Sequence, residues 1–109
     1  MKTPLLEKLL VFYQEDPGDP FNLYALALEY QKYDQRAAAE AFETLLSEFS
    51  DYLPTYYHAA QFFNLQDDIP KAEAIFREGI ALAERQADLK ARDELGNAYR
   101  TFLDEQSDC

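Results

Sequence analysis

The stretch Leu23–Phe42, LYALALEYQKYDQRAAAEAF, decides the fold, because it returns at Tyr56–Phe76 as YYHAAQFFNLQDDIPKAEAIF. The first copy reads Leu23-x-x-Leu26-Ala27-x-x-Tyr30, then Ala38-x-x-x-Phe42. The second reads Tyr56-x-x-Ala59-Ala60-x-x-Phe63, then Ala72-x-x-x-Phe76. The offset is 33 residues across the first half and 34 across the second, so one residue is added in the turn. Inside each half the large residues recur three and four positions apart, the spacing of one helix face. Self-similarity at this period, with helical spacing within each half, marks an array of helix–turn–helix units.

The pattern resembles the tetratricopeptide repeat (TPR) family: large-x-x-Leu-small-x-x-aromatic, then Ala-x-x-x-Phe. Two weaker copies flank the strong ones. Upstream, Leu5-x-x-x-Leu9 followed by Pro17 matches a second helix with its closing proline. Downstream, Leu95-Gly96-x-x-Tyr99 repeats the first-helix pattern. The resulting organisation is a single all-α domain over residues 1–109: a half repeat at about 4–18, repeats at about 19–52 and 53–87, a capping helix at about 88–104 and a frayed tail at 105–109. Some positions depart from the family pattern. Leu23, Tyr56 and Arg92 stand where a Trp is usual, Ala27 and Ala60 replace Gly, and Glu84-Arg85-Gln86-Ala87-Asp88 stands where a closing proline is expected.

Composition agrees with helices. Apolar residues make up 48% of the 109 residues and aromatics 15%, too many for a disordered chain. Ala, Leu and Glu abound, and only three glycines occur. The run Leu5-Leu6-Glu7-Lys8-Leu9 carries two charges, which argues against a signal peptide or a membrane span. The lone cysteine, Cys109, excludes an internal disulfide framework, and a cytoplasmic location is the expectation. The formal net charge of −11 is spread along the chain without a basic patch, which argues against nucleic acid and against an anionic membrane. Solubility, adaptation to salt, and a basic partner are the three explanations of that acidity.

Taken in order, Thr3 and Pro4 start a first helix, Leu5, Leu6, Leu9, Leu10, Phe12 and Tyr13 recur along it at three- and four-residue spacing, and Asp16-Pro17-Gly18 ends it. Asp19-Pro20 starts a second helix running to about Tyr33. Asp34 caps a third, about Gln35 to Phe49. Ser50 or Asp51 caps a fourth, about Tyr52 to Leu65, and Asp67-Asp68 caps a fifth, about Ile69 to Arg85. Asp88 is the expected cap of a sixth, about Leu89 to Leu103, with one long bent helix as the alternative. Short turns make neighbours antiparallel, so about six helices stack into a superhelical array.

No catalytic set converges. His58 is the single histidine, with no Cys, second His or fixed carboxylate pair at ligand spacing. Asp67-Asp68 reads as capping rather than cation binding. No enzyme activity, cofactor or metal is expected. The resemblance instead implies a protein-binding module whose first helices line a concave groove. Mapped onto this chain, the groove residues are Phe21, Tyr24, Leu28 and Lys32, then Tyr57, Gln61 and Asn64, then Asn97 and Arg100. Family members that clamp a C-terminal carboxylate use Lys, Asn and Arg. Only Lys32, Asn64 and Arg100 match such donors here, and Ala25, His58 and Glu94 stand where further polar groups are wanted. The expected partner is a protein or peptide segment of unknown identity. The rival reading is a structural protein that self-associates as a weak homodimer.

Overall fold

A computed structural model describes residues 3–107. Among them the chain forms six helices and no strand: α1 (Pro4–Glu15), α2 (Pro20–Tyr30), α3 (Gln35–Glu48), α4 (Pro54–Leu65), α5 (Ile69–Arg85) and α6 (Leu89–Ser107). They fall into two units, the first ending at Thr55 and the second starting at Tyr56. No helix among the described residues is long and apolar enough to cross a membrane. Cys109, the one cysteine weighed from the sequence, lies outside the described residues.

In the first unit α1 and α3 both pack on α2. Each helix starts as its sequence dictates. The Thr3 hydroxyl accepts from the Leu6 N–H at 3.1 Å, Asp19 from Phe21 at 3.0 Å and Asp34 from Ala37 at 3.1 Å. Such caps satisfy amides that the first turn leaves orphaned. The end of α1 is closed from outside: the Asn22 amide donates to the carbonyls of Phe12 and Asp16 at 3.3 and 3.0 Å. Helix α2 stops at Tyr30, short of the expected Tyr33. Its last turn tightens into three-residue bonds, Lys32 N–H to Glu29 O and Tyr33 N–H to Tyr30 O. The core holds Leu6, Leu23, Leu26, Ala27, Ala38, Ala41, Phe42 and Leu45. Leu5 and Phe12, read from the sequence as part of the α1 stripe, are exposed instead.

In the second unit Tyr56, Ala59, Ala60 and Phe63 of α4 are buried, as are Ala72, Ile75, Phe76, Leu82 and Ala83 of α5 and Leu95 and Phe102 of α6. The Phe76 ring lies 5.6 Å from that of Tyr99 and 5.4 Å from that of Phe102, joining α5 to α6. Polar bonds continue the seam: Arg77 Nε donates to the Tyr99 hydroxyl at 3.0 Å, which donates to Glu73 Oε2 at 2.8 Å. Helix α4 starts at Pro54 rather than Tyr52, because proline lacks the N–H that a first turn cannot use. Thr55, at the last position of the first unit, is fully buried and its hydroxyl has no hydrogen-bond partner among the described residues.

Two turns of this part of the chain use one device. Asp67 and Ala87 adopt left-handed backbone with φ of 66° and 56°. Asp68 N–H bonds to Phe63 O and Asp67 N–H to Asn64 O; Asp88 N–H bonds to Ala83 O and Ala87 N–H to Glu84 O. Both are Schellman closures. The second separates α5 from α6, so the single bent helix does not form, and Asp88 caps α6 by accepting from Ala91 N–H at 3.0 Å. Helix α6 then continues past the expected Leu103 to Ser107, whose hydroxyl bonds the Asp104 carbonyl at 3.1 Å.

Gly79 and Gly96 differ in what surrounds them. A Cβ on Gly79 would stand 2.7 Å from Tyr56 Cβ and 3.2 Å from Leu95 Cδ1, whereas nothing lies within 4 Å of one on Gly96. Helix propensity favours Ala over Gly by about 1 kcal/mol at either position. We therefore expect Gly96→Ala to stabilise by about that amount. Gly79→Ala should lose stability, since overpacking costs about 1–3 kcal/mol. Urea denaturation of both variants checks this, and a stabilised Gly79→Ala would contradict the α4–α5–α6 packing. A second expectation concerns the turn: Ala87→Gly relieves left-handed strain of about 1–2 kcal/mol at some entropic cost, for a net gain of about 0.5–1 kcal/mol. A loss in thermal melting would contradict the left-handed conformation.

Candidate functional site

Tyr56 turns into the second unit, so the next residue emerges about 100° around the helix. That rotation puts Tyr57, His58, Gln61 and Asn64 along one side of α4, where they form a wall of a cleft of about 800 Å³. The opposite wall belongs to α6: Glu94, Asn97, Ala98, Thr101 and Glu105, with Phe102 at the base. These α6 positions recur at three, four, seven and eleven residues, which is one helix face. The Tyr57 ring is 41% exposed and stands edge-on to His58 at 5.3 Å. Burial pushes the His58 pKa below its ordinary 6.5, so the imidazole is neutral at pH 7.

The cleft therefore unites four of the residues singled out in the sequence: Tyr57, Gln61, Asn64 and Asn97. Arg100 is not among its walls. It lines a neighbouring depression with Glu84, Arg92 and Asp93, and its guanidinium donates to Asn97 Oδ1 at 3.2 Å. His58, Glu94, Thr101 and Glu105 were not in the expected set. The stripe on α6 was readable, but ending the helix at Leu103 left Glu105 in a tail.

The first unit carries the other four expected residues. Phe21 is 55% exposed, and its ring lies 6.4 Å from that of Tyr24. Tyr24 is half-buried, edge-on to Tyr52 at 5.6 Å. Burial, with a smaller contribution from Tyr52, raises the Tyr24 hydroxyl above its ordinary pKa of 10.0. Leu28 is half-buried. Lys32 is tied down: its ammonium meets Glu29 Oε1 at 3.0 Å, while the Tyr33 hydroxyl donates to Glu29 Oε2 at 3.1 Å. Among the described residues no group of three or more His, Cys, Asp or Glu is placed to hold a metal ion.

No family model matches the chain, and no curated protein matches it either. Solved structures do. A tetratricopeptide repeat domain protein from Salinibacter ruber, determined in solution by NMR, is 35% identical over 80% of this chain and 89% of its own, with a TM-score of 0.75. A crystal structure of a tetratricopeptide repeat domain protein from the same organism is 32% identical over 78% of this chain and 97% of its own, with a TM-score of 0.73. The chain belongs to the tetratricopeptide repeat family.

In TPR register Tyr24 and Tyr57 hold the same place, yet their surroundings differ. Tyr24 leans on Tyr52, which follows α3, whereas Tyr57 stands at the rim of a cleft. Lys32, the one lysine that matched a carboxylate clamp, is engaged by Glu29.

The Lys32 hydrogen bond lowers the Glu29 pKa from the ordinary 4.5, with Tyr33 assisting and desolvation opposing. Glu29 is itself buried, at 5% exposed, whereas the Lys32 side chain that pairs with it is 59% exposed. A carboxylate with a lowered folded-state pKa stabilises the fold above its unfolded pKa, and that contribution disappears as the pH falls through the folded value. We expect Glu29→Gln to be less stable than the parent at pH 7, and the difference to vanish only once the pH has fallen below the lowered folded-state value, where both side chains are uncharged. Denaturation across a pH series measures this; a difference that persists in acid would show that the charge of Glu29 is not its contribution.

Proposed function

We propose that this TPR protein is a non-catalytic cytoplasmic binding module that holds an extended segment of a protein partner in the α4–α6 cleft. The observation that carries the reading is the makeup of that cleft. Its walls offer three side-chain amides, Gln61, Asn64 and Asn97, beside the Tyr57 ring. An amide presents both a donor and an acceptor, which suits the N–H and C=O groups of an extended backbone. An exposed tyrosine adds contact area at low entropic cost. The TPR relatives support the module class, and the cleft supports its seat.

The test selects binding peptides from a random display library against the full chain, then maps the tightest by amide chemical shifts. Shifts should concentrate on Tyr57, Gln61, Asn64, Asn97 and Thr101. Tyr57→Ala should weaken binding while leaving the melting temperature nearly unchanged, because the ring is exposed. Shifts confined to α1 or α3 would overturn the assignment.

Self-association is the second reading, favoured by one observation. Leu5, Val11 and Phe12 of α1 are all about half exposed, an apolar surface suited to a weak homodimer.

A further inference from the structure

We propose that the segment held in the α4–α6 cleft is basic, with two Lys or Arg side chains about four residues apart that pair with Glu94 and Glu105. This rests on the reading of the cleft as a peptide seat and adds the chemistry of its occupant.

The cleft walls contain two carboxylates and no lysine or arginine. Neither Glu94 nor Glu105 has an ion-pair or hydrogen-bond partner among the described residues. Three acids elsewhere in the chain are engaged by a partner: Glu29 by Lys32, Glu73 by Tyr99 and Asp93 by Arg92. The cleft thus keeps its negative charge, with no cation among its walls to offset it. His58 adds no positive charge at neutral pH, and Arg100 faces a depression that already holds Glu84 and Asp93. A segment ending in a free carboxylate would meet repulsion from both glutamates and no cation to hold it.

The spacing follows from the helix. Glu94 and Glu105 are eleven residues apart on one face, about 16 Å along the axis. An extended segment rises about 3.3 Å per residue and returns a side chain to the same face every second residue. Two basic residues four apart therefore span about 13 Å on one face, and the reach of their long side chains covers the remainder. Between them the backbone lies against Gln61, Asn64 and Asn97. Charge pairing at an exposed site also accelerates encounter and weakens with salt.

The experiment uses fluorescently labelled heptapeptides with blocked ends, Gly-Arg-Ser-Ala-Ser-Arg-Gly and versions with both arginines replaced by Gln or by Glu. A fourth peptide places the arginines side by side. Fluorescence anisotropy is read against the full chain and three variants: Glu94→Gln with Glu105→Gln, Glu7→Gln with Glu40→Gln as an equal charge change outside the cleft, and Tyr57→Ala. The spaced arginine peptide should bind tightest and lose about tenfold in affinity with the cleft pair removed. It should keep its affinity with the control pair. Equal loss with either pair, or equal binding of the adjacent-arginine peptide, would mean general attraction to an acidic protein and would overturn the proposal. Binding of the Gln peptide as tightly as the arginine peptide, sensitive to Tyr57→Ala, would overturn the basic occupant while leaving the cleft as the seat. Arginine-peptide binding that Tyr57→Ala and the cleft pair both leave unchanged would overturn the cleft itself.

Discussion

Three helices of the second unit meet where residue 79 has no side chain. Tyr56 of α4 and Leu95 of α6 both press on that point, and a single added methyl would stand 2.7 Å from Tyr56 Cβ. Close packing of this kind removes rotational freedom, because a helix held by one face cannot turn without a clash. With Tyr56 and Leu95 held inward, the adjacent faces of α4 and α6 are left to form the walls of the cleft. Tyr57 is exposed because Tyr56 is buried. The site is thus a consequence of the packing behind it.

The turns serve the same end. Asp67 and Ala87 accept left-handed backbone without being glycine, and the aspartate after each caps the helix that follows. The result is an abrupt reversal with few residues spent, in which the carbonyls of Phe63, Asn64, Ala83 and Glu84 are bonded. Electrostatics then separates the surfaces. Where α2 ends, Lys32 and Tyr33 fold back on Glu29 and neutralise it. Along the cleft face of α6 nothing does so for Glu94 and Glu105, and the cleft stays acidic.

Much of the fold was legible in the sequence, and for identifiable reasons. Local signals carried it: Thr3, Asp19, Asp34, Asp68 and Asp88 act on amides within three residues, so their roles are visible in a short window. The stripes Leu23-Leu26-Ala27 and Ala72-Ile75-Phe76 are equally local. The misplaced elements were those governed by contacts beyond the window. Phe12 matched the α1 period, yet in the fold it is exposed. The break between α5 and α6 was placed correctly from the Asp88 cap, but the left-handed Ala87 that makes it is announced by no residue preference.

The candidate site divides in the same way. Tyr57, Gln61, Asn64 and Asn97 were legible because their places follow from the repeat register. Phe21, Tyr24, Leu28, Lys32 and Arg100 share that register, and only their surroundings set them apart: a ring leaning on Tyr52, an ammonium held by Glu29, a guanidinium on the far side of Asn97. The sequence by itself determined the family, the helices and, α1 apart, which face of each is buried, because periodicity and capping are properties of neighbouring residues. The tertiary structure alone decided which of the remaining faces lie opposite one another, and so which carboxylates stay unpaired, because that depends on how closely two backbones approach at Gly79.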